Sequence, residues 1–350
     1  MSAVGEKQAS AESSRLPSIG PISELIAGML ASDPEETGPH AADLASSVAH
    51  LTEGVADPIS DDDLQLALYL CFEIHYRSLP GIDDSWEWHP ASIAARDVLE
   101  EAFMSALERE VDPRQPVDPE TVGERLFQIE AEDNGVSLSR HLEIEADLDE
   151  FREFVVHRSP YQLKEADTHS WAIPRLGGAA KAALVEVQAD EYGGGRAERV
   201  HSTLYANTMR ALGLDSAENA HLSLIPGTSL ATVNFQTAVG LRRARRGAIV
   251  GHLAMFEMTS AQPNRRYANG LRRLGFGPEA TDFYDEHVEA DAVHENIAAY
   301  DLAGGLARQE PEVAADIVFG ARALLFLEDR FGRRMLDSWA RGEPSLHMRL

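Results

Sequence analysis

The motif that most constrains this chain is the spacing His287-x3-Asp291-x2-His294. Residues four and seven positions apart lie on the same face only when the segment is an α-helix. On one helical face, two imidazoles and a carboxylate offer nitrogen and oxygen donors without a thiolate, which is the ligand chemistry that iron and manganese favour. The motif therefore predicts a helix that carries metal ligands.

Further acidic and histidine residues lie upstream, in or beside other segments with helical patterning. Glu257 lies in the apolar run 253–258, where a carboxylate is costly to bury unless it is paired or bound to a metal. Glu191 and His201 are ten residues apart, an offset of about 80° on a straight helix. The triple glycine at 193–195 separates them, and we expect it to kink the chain and turn His201 toward Glu191.

Helical periodicity recurs along the chain and alternating β patterns are scarce, so we expect an all-α bundle. The candidate ligands would project inward from facing helices, as in other bundle metal sites. The run Ser60-Asp61-Asp62-Asp63 predicts a helix N-cap with acidic residues at the positive end of the helix dipole. The predicted organisation is a disordered N-terminus over residues 1–16, a helical region over 17–145 and the metal-binding bundle over 146–340.

Composition narrows the classes of partner and location. Acidic residues outnumber basic ones 58 to 31, for a net charge of −27, which argues against nucleic acid or an anionic membrane as partner. No segment approaches the ~18 apolar residues of a membrane span, and residues 1–16 carry no apolar signal core, so we expect a cytoplasmic protein. The single cysteine, Cys71, excludes an intrachain disulfide and a zinc ribbon.

Taken together, the candidate ligands resemble the pattern of the heme-oxygenase-like diiron oxidases and oxygenases, also described as iron-containing redox enzymes. The ligand order of that family is Glu, then Glu-x9-His, then Glu, then His-x3-Asp-x2-His. The chain fills this order between about residues 150 and 300. The matching positions are Glu165, Glu191, His201, Glu257, His287, Asp291 and His294.

The resemblance implies a heme-oxygenase-like helical bundle that binds no heme, with additional N-terminal helices that cover one end of it or build a homodimer contact. Two Fe²⁺ ions would lie between the helices and use O2 as co-substrate, with manganese not excluded because the same donors serve it. The substrate would be small, amino-acid-like or fatty-acid-like, and oxidised by N-oxygenation, C–C cleavage or desaturation. An external electron donor is a further expected partner.

The resemblance also suggests how the ligands divide between the two ions. Glu165, Glu191 and His201, or a residue opposite, would hold one iron, while Glu257 and the helix with His287, Asp291 and His294 would serve the other. Three residues lie close to Glu191 in sequence, and we expect one of them to orient a metal ligand by a hydrogen bond. These residues are Glu186, Asp190 and Tyr192. Five arginines are candidates to clamp a substrate carboxylate, although each also suits a plain surface position. They are Arg196, Arg199, Arg265, Arg266 and Arg272.

Other interpretations remain open on sequence alone. The histidine motif could be a solvated helix face, and Glu165, between Lys164 and Asp167, could lie in an exposed turn. A ferritin-like diiron site would instead use pairs with the Glu-x2-His spacing. Three pairs fit that spacing: Glu198 with His201, Glu218 with His221, and Asp291 with His294.

Two further alternatives keep the fold but not the iron chemistry. A non-catalytic helical protein that binds a small molecule is the first. A thiaminase-like hydrolase needs a nucleophile, for which Cys71 lies in the wrong part of the chain.

Overall fold

The computed structural model describes residues 16–37, 41–111 and 116–350; within these ranges the side chains of residues 37, 41 and 289–293 are outside the description. All regular elements of the described residues are helical, so the all-α prediction is confirmed. The disorder predicted for residues 1–16 falls almost wholly outside the described residues.

Two compact units divide the chain. The first contains the described residues up to Glu108 together with Pro226–Asn234, and the second contains Arg109–Ile225 and Phe235–Leu350. The domain boundaries expected after residues 16 and 145 remain a prediction.

The helices of the first unit are α1 (Pro21–Leu30), α2 (Pro34–Thr37), α3 (Ala41–Thr52), α4 (Asp62–Glu73) and most of α5 (Pro90–Glu110). The predicted N-cap is confirmed, because the Asp61 carboxylate accepts from Leu64 N at 2.8 Å and opens α4. Asp63 accepts from Ile22 N and Ser23 N, both at 2.8 Å, and thereby satisfies two free N–H groups in the first turn of α1. One acidic run thus stabilises the start of two helices.

The second unit begins with α6 (Val122–Glu132), α7 (Leu138–Ile144), α8 (Leu148–Gln162), α9 (Asp167–Ser170), α10 (Gly178–Glu191) and α11 (His201–Ala211). Helix α12 (Gly227–Leu241) starts in the first unit and ends in the second. The chain continues with α13 (Arg246–Arg273), α14 (Pro278–Asn296), the π-helix Ile297–Ala303, α15 (Gly304–Gln309) and α16 (Ala314–Ala340).

Helices α13 and α16 approach each other closely in the second unit because glycines replace side chains at their contact. A Cβ added at Gly251 would lie 1.8 Å from Ile317 O, and one added at Gly320 would lie 2.0 Å from Ala248 O. The second unit also has a core of buried aromatic side chains from α8, α11, α14 and α16. These are Phe151, Phe154, Tyr205, Phe283, Tyr284 and Phe331.

Among the described residues, no helix has the length and apolar character that crossing a membrane requires.

Substitution Gly251→Ala should destabilise the protein by at least about 1–3 kcal/mol, because the added methyl group forces α13 away from α16. The matched control is Gly28→Ala in α1, where a Cβ would have no neighbour within 4 Å. We expect the control to be neutral or to stabilise by up to about 1 kcal/mol. Urea unfolding measures both, and equal midpoints for Gly251→Ala and the unsubstituted protein would contradict the close approach.

Candidate metal centre

The predicted ligands come from five places in the second unit. Glu165 lies in the turn after α8, Glu191 is the last residue of α10, and His201 is the first residue of α11. Glu257 lies in the middle of α13, and α14 carries the histidine motif. All six ligands with described side chains are buried, with exposed fractions of 6% or less. The side chain of Asp291 is outside the described residues.

Four of these side chains form a first cluster in which the potential ligand atoms all lie within 4.8 Å of one another: Glu165, Glu191, His201 and His287. His201 Nδ1 lies 2.9 Å from Glu191 Oε2 and 4.0 Å from Glu165 Oε2. His287 Nε2 lies 3.4 Å from Glu165 Oε1. Glu165 itself is buried. The exposed turn that its polar neighbours in sequence allowed is therefore wrong.

A second cluster, under the same limit of 4.8 Å, contains Glu191, Glu257 and His294. His294 Nδ1 lies 3.4 Å from Glu257 Oε2. Glu191 belongs to both clusters. His287 lies with the first set and His294 with the second, which differs from the division expected from the resemblance. Seven residues advance an α-helix by about 10 Å, so one face of α14 reaches two separate positions.

Three buried polar atoms of these residues that make no hydrogen bond fit a metal ion. Within the described residues, Glu191 Oε2, His201 Nδ1 and His294 Nδ1 have no hydrogen-bond partner. Buried polar atoms are normally satisfied, and each of these atoms faces another potential ligand. Metal ions would satisfy all three, and the mixed nitrogen and oxygen donors suit iron or manganese.

The pKa shifts within the clusters also favour a metal ion. Burial lowers the pKa of His294, but Glu257 and Asp190 outweigh it and raise that pKa to about 9. Burial raises the pKa of Glu191, but His201 and the other imidazoles lower it to about 2. In the second cluster, protonated His294 thus lies beside ionised Glu191, and a metal cation would take the place of the proton.

Two histidines are oriented by hydrogen-bond acceptors that contact the ring nitrogen facing away from the clusters. His294 Nε2 donates to Asp190 Oδ2 at 2.9 Å, and His287 Nδ1 donates to Phe283 O at 2.7 Å. These bonds leave Nδ1 of His294 and Nε2 of His287 directed at the clusters, the arrangement typical of metal-binding imidazoles. Of the residues expected to support a ligand, Asp190 makes such a contact, Glu186 is exposed, and Tyr192 donates to Asp167 Oδ1 at 2.8 Å.

The glycine run ends one helix and allows the next to begin, rather than kinking a continuous helix. Gly193, Gly194 and Gly195 have φ angles of +65°, +59° and +80°. A Cβ at Gly193 would lie 2.5 Å from Arg199 C, whereas one at Gly194 would have no neighbour within 4 Å. The folded-back turn brings His201 to Glu191, as predicted from the sequence. The predicted kink in one continuous helix is instead a turn between two helices.

A cavity of about 400 Å³ reaches the first cluster, because Glu165 and His287 are part of its wall. Arg158 lines it and is bound to Glu328 through two hydrogen bonds of 2.7 and 2.5 Å. Among the five candidate arginines, Arg266 is the one that lines this cavity. Sequence reasoning missed Arg158 and Tyr284. The spacing of Tyr284, one helical turn before His287, could have revealed it.

Substitution Gly193→Ala should strongly weaken metal binding, since the added Cβ displaces the turn that carries His201 toward Glu191. Gly194→Ala is the matched control: it imposes a similar positive φ on alanine but meets no neighbour. Iron content after anaerobic loading should fall well below the control in Gly193→Ala. Equal iron content in both variants would show that the turn does not set the ligand geometry.

Substitution Asp190→Ala should weaken iron binding about 10–100-fold, because His294 loses the acceptor that orients its ring. Anaerobic titration with ferrous iron against a chelator of known affinity would measure the change. Glu186→Ala, an exposed position on the same helix, should keep the original affinity. An Asp190→Ala protein that also keeps it would contradict the orienting role.

Comparisons with known proteins agree with this geometry. The family described as iron-containing redox enzyme matches residues 152–329, just over half of the 350 residues. A nitrosourea synthase from Streptomyces achromogenes subsp. streptozoticus is 26% identical over 199 residues, which cover 56% of this chain and 42% of that protein. The matched region thus spans less than half of the relative.

Among solved structures, the crystal structure of a CADD-like protein of unknown function from Nostoc punctiforme PCC 73102 is similar at a TM-score of 0.50 and 15% identity. The likeness covers 63% of this chain and 97% of that one, and it confirms the predicted heme-oxygenase-like fold. The family match favours an enzyme over a non-catalytic binding protein. The chain belongs to the family described as iron-containing redox enzyme.

Proposed function

We propose that this chain is a nonheme diiron oxygenase or oxidase that uses O2 to oxidise a small organic molecule. The observation that carries the proposal is Glu191, a buried carboxylate common to both ligand clusters. Facing helices that supply carboxylates and histidines to one interior position are the design of diiron carboxylate proteins. Asp291 completes the proposed ligand set on the basis of its spacing in α14.

The protein's own residues would hold and shield such a centre. Two ferrous ions, when bound, supply the electrons and open coordination positions for the reaction with O2. Glu165, Glu191, His201 and His287 would hold one ion, and Glu191, Glu257, Asp291 and His294 the other. Burial of the described ligands keeps bulk water away from them, which strengthens each charge interaction.

The cavity that reaches Glu165 and His287 would admit the substrate. Its volume of about 400 Å³ lies in the range of small-molecule sites. Phe154, Phe256 and Phe331 supply apolar walls, and the Arg158–Glu328 pair supplies charge. The likeness to a nitrosourea synthase favours oxidation at nitrogen over C–C cleavage or desaturation as the outcome.

Anaerobic loading with ferrous iron should give about two irons per chain, and the variants should divide the centre. Glu191→Ala should lose both ions, because it removes the shared carboxylate, while Glu257→Ala should keep at most one. Iron and manganese content by mass spectrometry, with O2 uptake on the same samples, would measure this. Both variants should lose O2 uptake.

Glu186→Ala, which removes an exposed carboxylate from the same helix as Glu191, should keep two irons and full O2 uptake. A Glu257→Ala protein that retains two irons and unchanged O2 uptake would overturn the diiron assignment. Far-UV circular dichroism should show unchanged helix content in each variant, so that loss of metal is separated from loss of fold.

A further inference from the structure

We propose that the Tyr284 hydroxyl binds the substrate by donating a hydrogen bond to an oxygen acceptor, such as a carboxylate or carbonyl group, within the cavity beside Glu165 and His287. The inference deepens the proposed function and rests on it for the chemistry that follows binding. Three observations carry it: the position of Tyr284 in the wall, its missing partner, and the satisfied state of its polar neighbours.

Tyr284 lies on the wall that leads to the proposed metal ligands. It precedes His287 by three residues on α14, and side chains at this spacing lie on one face of a helix. Both residues line the same cavity, together with Glu165. The ring is fixed by edge-on contacts with Phe283 and Tyr267, whose centroids lie 5.1 and 5.5 Å away. A molecule in this cavity would therefore lie beside a rigidly held tyrosine.

Among the described residues, the Tyr284 hydroxyl has no hydrogen-bond partner. Tyr284 is 2% exposed, and of the described residues that line the cavity it alone has a buried side-chain polar atom without a hydrogen bond. A buried hydroxyl left in this state is costly, and a functional reason is the usual explanation. Since no atom of the described residues satisfies it, we infer that its partner comes from the cavity.

Neighbouring polar groups of the wall are already engaged. Arg158 is bound by Glu328, and Arg266 donates to Ser137 and Ser139 at 3.1 and 3.2 Å. Tyr205, a second buried tyrosine of the wall, donates to Val155 O at 2.7 Å. Burial also raises the pKa of Tyr284, so the hydroxyl keeps its proton and acts as a donor.

The test compares Tyr284→Phe with Tyr205→Phe, two substitutions that each remove one buried hydroxyl from the same wall. The first arm uses thermal unfolding without any ligand. Tyr284→Phe should unfold at the same temperature as the original protein or higher, because no bond is lost. Tyr205→Phe should unfold about 2–4 °C lower, because its bond to Val155 is lost. A similar fall in Tyr284→Phe would mean that the hydroxyl has a protein partner and would overturn the proposal.

The second arm measures binding to the iron-loaded protein under anaerobic conditions, with L-amino acids, saturated fatty acids and linear alkylamines as probes. Carboxylate probes that bind the original protein should bind Tyr284→Phe at least about tenfold more weakly, because a hydrogen bond to a charged group is lost, and should bind Tyr205→Phe nearly as before. Alkylamines, which lack an acceptor oxygen, should show no dependence on Tyr284. Equal binding of the carboxylate probes to Tyr284→Phe would show that the hydroxyl meets only water, and would overturn the proposal.

Failure of every carboxylate probe to bind the iron-loaded original protein would also overturn the proposal. Iron content is measured on the same samples. A chain that binds no iron would remove the proposed function, whereas the unfolding arm would still report on the Tyr284 hydroxyl. The two failures are therefore distinguishable.

Discussion

Burial of charge is the constraint on which the rest of the site depends. Glu191 is buried where His201 approaches it within 2.9 Å and where Glu165, Glu257 and His287 share the same interior region. Ionised groups in such a position are strongly unfavourable unless opposite charges or metal ions compensate them. The protein gathers carboxylates and imidazoles from four separate helices and a turn, and each group becomes the compensation for the next.

The scaffold makes this convergence geometrically precise. At Gly251 and Gly320, the backbones of helices α13 and α16 are in direct contact because neither glycine has a side chain. This close packing leaves little freedom for one helix to shift against the other. Glu257 lies six residues after Gly251 on α13, so the close contact also determines the depth at which this carboxylate is held. Helix α13 thus links the helix packing at Gly251 to the position of the candidate ligand Glu257.

Much of this could be predicted from the sequence, for reasons that are local. The histidine motif has meaning only on a helix, and a carboxylate in an apolar run such as that around Glu257 must be compensated. The burial of Glu165 could not be predicted, because tertiary packing and not its polar neighbours decides how a turn is covered. The separation of His287 from His294 into two clusters likewise depends on which helices face α14.

Helix α14 also fixes the distance between the two clusters, because it carries one histidine of each. His287 and His294 are seven residues apart, nearly two full helical turns, so they point in one direction at two heights. One residue inserted between them would rotate one imidazole by about 100° away from its cluster. Related chains that keep both metal positions on this helix can therefore vary in the residues between the histidines, apart from the proposed ligand at Asp291, but not in the number of those residues.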